Sequence, residues 1–230
     1  MPEVGGPATP LRRSSLRQQI ADALRDEILT GRLQAGRHFT VKEIAELYGV
    51  SATPVREALV DLAAQGLLEV EQHRGFQVRR LTAADFRSLT EARVFIVEAF
   101  FRELAGQGMG AVPGDALASV RRRAEAAARA AQSGSLDVLV GCDLRFWREL
   151  SAIAANPHIC EFMDRVRTQT WIYAVPHLRA LSDAAGVCWA GHVALVDAVA
   201  ARDIETAHTL TSQYDTHTRT LIEKLAPARS

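Results

Sequence analysis

The sequence predicts a mainly α protein, with an N-terminal winged helix-turn-helix followed by a C-terminal all-α helical bundle. Three observations carry this. Apolar residues at helical spacing, bounded by capping residues and glycines, mark three short helices before Gly66. The stretch "LLEVEQHRGFQVRRL" (67–81) alternates around His73-Arg74-Gly75, as a two-stranded hairpin does. Beyond Thr82 no stretch reads as a strand.

Leu16, Ile20, Leu24 and Ile28 recur every four residues and make 16–30 an amphipathic helix. Gly31 and Gly36 bracket a turn. Thr40-Val41-Lys42-Glu43 reads as a capping box, with the hydroxyl satisfying an early N–H and the glutamate reaching back. That helix runs to about Tyr48. In "YGVSATPVREAL" (48–59), Pro54 is tolerable only in a first turn, where its missing N–H has no intrahelical partner. The next helix therefore begins near Ser51 or Thr53, either of which can cap it, and ends at Gly66. Val55, Leu59 and Leu62 form its buried stripe, while Thr53 and Arg56 point away from it. Helices are expected at 82–106, 114–132, 135–155, 158–175, 183–201 and 203–225. The organisation is a flexible tail (1–14), the winged helix-turn-helix (15–80) and the helical domain (81–230).

The chain has 230 residues, 48% of them hydrophobic, enough to bury a core. Its apolar runs stop well short of the ~18 residues a membrane span needs. "MPEVGGPATPLRRSS" lacks the apolar region of a secretory signal, so a cytoplasmic protein is expected. Cys142, Cys160 and Cys188 have no metal-binding spacing and suit a reducing compartment. Lys and Arg total 27, and so do Asp and Glu, so any affinity for nucleic acid rests on local placement of charge. The arginine triplet of "RRRAEAAARAA" (121–131) reads as a solvated helix face.

"ILTGRLQAG" (28–36), "IAELYGVSATPVREALVDLAAQGLLEV" (44–70) and "HRGFQV" (73–78) resemble the GntR family of bacterial transcription regulators. "EARVFIVEAF" (91–100) and Asn156-Pro157 resemble the FCD-type effector domain of its FadR-like branch, in the six-helix VanR-like subgroup. The resemblance implies a homodimeric, ligand-responsive repressor that binds an inverted-repeat operator in double-stranded DNA. It implies that Arg56 contacts bases, that Lys42 contacts base or backbone, that Ser51 and Thr53 sit at the DNA with Thr53 on phosphate, and that His73, Arg74 and Gly75 form a wing tip at the minor groove. The family commonly has arginine where Ala52 stands, so this operator is expected to differ. Arg12, Arg13 and Arg17 are further candidates for backbone contacts.

Many such effector domains hold a divalent metal, and the register of their ligands falls here on Asp143, Trp147, His192 and Tyr214. Tryptophan cannot ligate, because its indole nitrogen only donates. Tyrosine is a poor neutral-pH ligand. No cofactor is therefore expected. An organic pocket is favoured, with Arg93 forking onto a small carboxylate effector beside Asp143, Trp147, His192 and Tyr214. The alternatives are a metal sensor using Asp143, His192 and His217, or an enzyme using Asp143, His192 and Cys142. No phosphate loop, nucleophile elbow or HExxH motif supports the enzyme.

Overall fold

The structure is a computed structural model that describes residues 16–72, 74–154 and 156–226. Helix α1 (Leu16–Leu29) lies across α3 (Ala52–Ala64), with the short α2 (Val41–Tyr48) between them in sequence. Ile20, Leu24 and Ile28 are buried as their spacing requires, whereas Leu16 is exposed. Thr40 and Glu43 form the expected capping box of α2, and Gly49 ends it in the left-handed region. Ser51 occupies the N-cap position of α3 but makes no side-chain cap, so its hydroxyl is free at the surface. At the other end, Gly66 N–H bonds to Ala63 C=O and Leu67 N–H to Leu62 C=O. That is the Schellman arrangement, and it buries Leu62 against the chain leaving the helix.

The hairpin β2 (Leu68–Glu71) and β3 (Gly75–Val78) forms as predicted. A third strand was not expected: β1 (His38–Phe39) pairs antiparallel with β3, giving the sheet order β1-β3-β2. Two residues carry no alternation for a pattern to detect. Gly75, at φ +94, is needed inside this sheet, because an added Cβ would lie 2.6 Å from the Phe39 carbonyl oxygen. His73 and the 1–14 tail, with Arg12 and Arg13, lie outside the described residues.

Six helices follow: α4 (Ala83–Gln107), α5 (Gly114–Ser133), α6 (Leu136–Ala154), α7 (Pro157–Arg179), α8 (His192–Ala201) and α9 (Ile204–Leu225). Two boundaries differ from the sequence reading. Helix α7 continues through Pro176 to Arg179 instead of ending at 175. The helix expected from 183 begins only at His192, because 180–191 is a loop turning through Gly186 at φ +67. The alanines of α5 (Ala124, Ala127, Ala128, Ala130 and Ala131) are buried against α6 and α8, where small side chains let the helices approach closely. Arg121 pairs with Asp197 and Arg123 with Glu149, so two of the three arginines reach neighbouring helices from an exposed face.

The core of the N-terminal unit does not stop at its own elements. Val140 and Leu144 of α6, and Ile172 and Val175 of α7, pack into the same apolar cluster as Leu24, Leu59 and Phe76. The two units thus share a wall. No described helix is long and apolar enough to cross a membrane.

Candidate nucleic-acid interface and effector site

The first turn of α3 presents Ser51, Ala52, Thr53 and Arg56 to solvent, and Lys42 of α2 is likewise exposed. Lys42, Ala52 and Arg56 line one shallow concavity between α2 and α3. Arg56 makes no hydrogen bond or ion pair among the described residues. Asp61, its nearest plausible partner on the helix, is taken by Arg17 at 3.5 Å. Arg17 is exposed, and a surface pair of this kind is worth little and leaves it able to reach a phosphate. Lys42 reaches only Glu46, at 3.8 Å on an open surface, a pair worth little. Arg74 is exposed at the hairpin turn. A helix N-terminus with free N–H groups, an uncommitted hydroxyl and an unpaired guanidinium suits a phosphate backbone and a base edge.

In the helical domain the four residues in metal-ligand register meet around one carboxylate. Asp143 of α6 is 1% exposed. Its Oδ1 accepts from Trp147 Nε1 at 3.1 Å and lies 3.0 Å from His192 Nε2. Its Oδ2 accepts from Tyr214 Oη at 3.0 Å and from Trp171 Nε1 at 2.8 Å. Burial alone would push the Asp143 carboxyl up, but the bonds from His192, Trp171 and Tyr214 outweigh it and hold it below the usual range. Burial, with Asp143 alongside, pushes the Tyr214 phenol well above its ordinary value, so it stays a donor.

This donor set does not fit a metal. Both carboxylate oxygens are saturated by side-chain donors, the indoles have no lone pair to offer, and the His192 nitrogen nearest the carboxylate is spent on it. His217 donates Nε2–H to the Val187 carbonyl at 2.8 Å and does not join Asp143 and His192. Among the described residues no three His, Cys, Asp or Glu side chains gather to hold a cation.

The place expected for an organic pocket has little room in this structure. The space beside Asp143 is a cavity of only about 30 Å³, walled by Trp171, Trp189 and Tyr214. Arg93 does find a carboxylate there, but it belongs to the chain: Nε of Arg93 lies 2.6 Å from Oδ1 of Asp215 on α9. Both side chains are buried, and among the described residues Nε and Nη2 of Arg93 and both Asp215 oxygens make no well-aligned hydrogen bond, so the pair is a close charge contact. Burial raises the Asp215 carboxyl despite Arg93 and Arg167.

Sequence reasoning missed Arg167, Gln169, Trp171, Trp189 and Asp215. The signal in the sequence is the run Arg167-Thr168-Gln169-Thr170, four consecutive polar residues within a helix, and the structure buries all four. The two threonines return their hydroxyls to Asp164 and Val166 carbonyls. Gln169 donates to the Gln65 carbonyl at the end of α3, at 3.4 Å. The Gln65 side chain is held from the far side by Arg25, at 2.8 Å.

With this geometry in hand, likeness to known proteins becomes informative. Residues 16–78 match bacterial regulatory proteins of the gntR family, and residues 89–216 match the FCD domain. The chain is 32% identical over 204 residues to a probable D-xylose utilization operon transcriptional repressor of Paenarthrobacter nicotinovorans, covering 87% of this chain and 86% of that one. The chain belongs to the GntR family. It is a DNA-binding transcriptional regulator with an FCD domain, not an enzyme. The HTH-type regulator McbR of Escherichia coli is 26% identical over 76% of this chain and 75% of that protein. The E. coli McbR/YncC structure superimposes with a TM-score of 0.74 at 21% identity, over 91% of this chain and 98% of that one, and so shares the fold. A GntR regulator structure from Rhodococcus does the same at 0.69 and 22%, over 93% and 100%.

Proposed function

We propose that this GntR regulator is a cytoplasmic repressor that binds an inverted-repeat operator as a homodimer and releases it when the helical domain takes up a small organic acid, with no metal required. The observation that carries the ligand response is α7. Within three residues it presents Arg167 to the interior of the bundle and Gln169 to the last turn of the recognition helix α3. A ligand that shifts α7 therefore acts on the element that reads DNA without any intervening loop. Such coupling needs differential binding to two states, and the shared apolar wall of α1, α3, α6 and α7 is a packed element that can have two arrangements. Repression is supported by the function named for the Paenarthrobacter relative.

The DNA reading is supported by the free Ser51, Thr53 and Arg56 at the start of α3. Two-fold symmetry in the protein would be mirrored in the site. The test is a titration of fluorescent DNA from upstream of the protein's own gene, with and without a panel of small organic acids. Operator affinity should fall severalfold with one class of acid and stay unchanged by chelator. Specific binding that no acid alters would refute the ligand response and leave the DNA reading standing.

A further inference from the structure

A second cavity, larger than the one beside Asp143, lies between α4, α6, α7, α8 and α9. Its volume is about 390 Å³, and the 108–112 segment roofs it. Well-packed cores hold few voids larger than a water, whereas ligand pockets begin near 300 Å³. Its walls are apolar, with Phe100, Phe101, Leu150, Met163 and Leu195 among them. An apolar space of this size lacks the packing contacts that a bound apolar group would supply.

One charged side chain lines that cavity, and it is Arg167. The residue is 5% exposed, and its Nε has no hydrogen-bond partner. Among the described residues no carboxylate lies in ion-pair contact with it: Asp215 is paired with Arg93 and Asp143 holds its four donors, and both act on Arg167 only at longer range. Its guanidinium instead lies 4.5 Å from the centre of the Trp147 ring, which orients the plane but does not neutralise the charge. Arg167 lines both this chamber and the small cavity beside Asp143, so a carboxylate entering the chamber meets a buried cation whose neighbouring carboxylates, Asp143 and Asp215, are already held by other side chains.

We propose that this chamber is the effector site and that its occupant is a monocarboxylate with an apolar body, the carboxylate paired with Arg167 and the body among α4, α6 and α8. This rests on the ligand-responsive reading above and names the ligand class. At roughly 30 Å³ per water-sized group, the space takes about 13 non-hydrogen atoms. Among the described residues Arg167 is the one cation on the walls, so the chamber itself pairs a single carboxylate. The acid neutralises Arg167, two residues from the Gln169 contact with α3.

Decanoate is the probe, with decanol and butyrate as its uncharged and truncated counterparts. Binding to the full chain is read by calorimetry and by fluorescence of Trp147 in the chamber wall. Decanoate should bind at least tenfold more tightly than either counterpart. Arg167→Met should lower decanoate affinity at least tenfold, leave decanol unchanged and raise the melting temperature of the ligand-free protein. Leu150→Trp, which fills the chamber, should abolish both while operator binding in the absence of ligand is retained. Equal affinity for decanoate and decanol, or decanoate binding that survives Arg167→Met, would overturn the assignment. If decanoate binds through Arg167 but leaves operator affinity unchanged, the chamber stands and the regulatory reading falls. If a different acid releases the operator through Arg93 and not Arg167, the regulatory reading stands and the chamber falls.

Discussion

Trp171 of α7 donates its indole N–H to Asp143 of α6 across 2.8 Å, completing a shell of four donors around one buried carboxylate. Asp143 thereby ties α6 to α7, α8 and α9 through side-chain hydrogen bonds. Replacing Trp171 by Phe keeps the ring and removes one bond to a charged acceptor, a loss of about 1.5–3 kcal/mol. Asp143→Asn should cost more, because its amide nitrogen would face donors on the same side. Urea unfolding of both variants checks this, and a stability for Asp143→Asn equal to wild type would show that the carboxylate is not the hub.

The same shell sets a pH dependence. The Asp143 carboxyl is held below its ordinary value in the folded protein. Its contribution is then complete above the unfolded carboxylate range, near pH 4, and is lost as pH falls through the folded value. Stability measured from pH 7 down to pH 3 should show the gap between wild type and Asp143→Asn constant at first and closing only in the acid range. A gap that widens on acidification would reverse the sign and refute the assignment.

How much of this the sequence disclosed depends on whether a residue lay on a readable period. Asp143 and Trp147 are one helical turn apart, and His192 and Tyr214 fall in the register the family resemblance supplies, so all four were found and do meet. Trp171 and Arg167 sit on α7, off that register, and Asp215 neighbours a register position but faces Arg93. Arg93 illustrates the limit: its residue type pointed to a carboxylate, and only the fold says whose. The sequence predicts a helix from 183, but up to 191 the chain is loop, turned by Gly186 and fixed by the packing of Trp189 on His192 and Tyr214.

At the DNA face, Arg56 has no partner among the described residues and Lys42 is held only loosely. Arg56→Ala should lose about 1–3 kcal/mol per half-site and relax base preference, whereas Lys42→Ala should weaken all sequences alike. Operator and scrambled-sequence titrations separate the two effects. An Arg56→Ala protein as tight and selective as wild type would show that α3 is not the reading helix.

Ala52 lies exposed beside Arg56 in the same concavity. Ala52→Arg puts a cation there without burying anything. Binding to DNA of any sequence should strengthen, and the slope of log affinity against log salt should steepen by about one unit if a phosphate is engaged. An unchanged slope and affinity would place residue 52 away from DNA.

The last prediction concerns metal. Wild-type protein should melt at the same temperature with and without chelator, because Asp143 has no free lone-pair direction once Trp147, Trp171, Tyr214 and His192 have bonded to it. Trp147→His with Tyr214→His replaces two donors by imidazoles at positions already within bonding distance of Asp143. The double variant then brings three histidines and a carboxylate into one buried place, a set that zinc takes up. Without metal it should be less stable than wild type, since two aromatic side chains have left the core. Added zinc should raise its stability by RT ln(1 + [L]/Kd), about 2.7 kcal/mol at a hundredfold excess over Kd. Trp171 still occupies one carboxylate oxygen, so the further change Trp171→Phe should strengthen zinc binding in the double variant. Stoichiometric zinc in wild-type protein, lost together with stability on chelation, would show that the donor shell opens for metal and would overturn this account of the site.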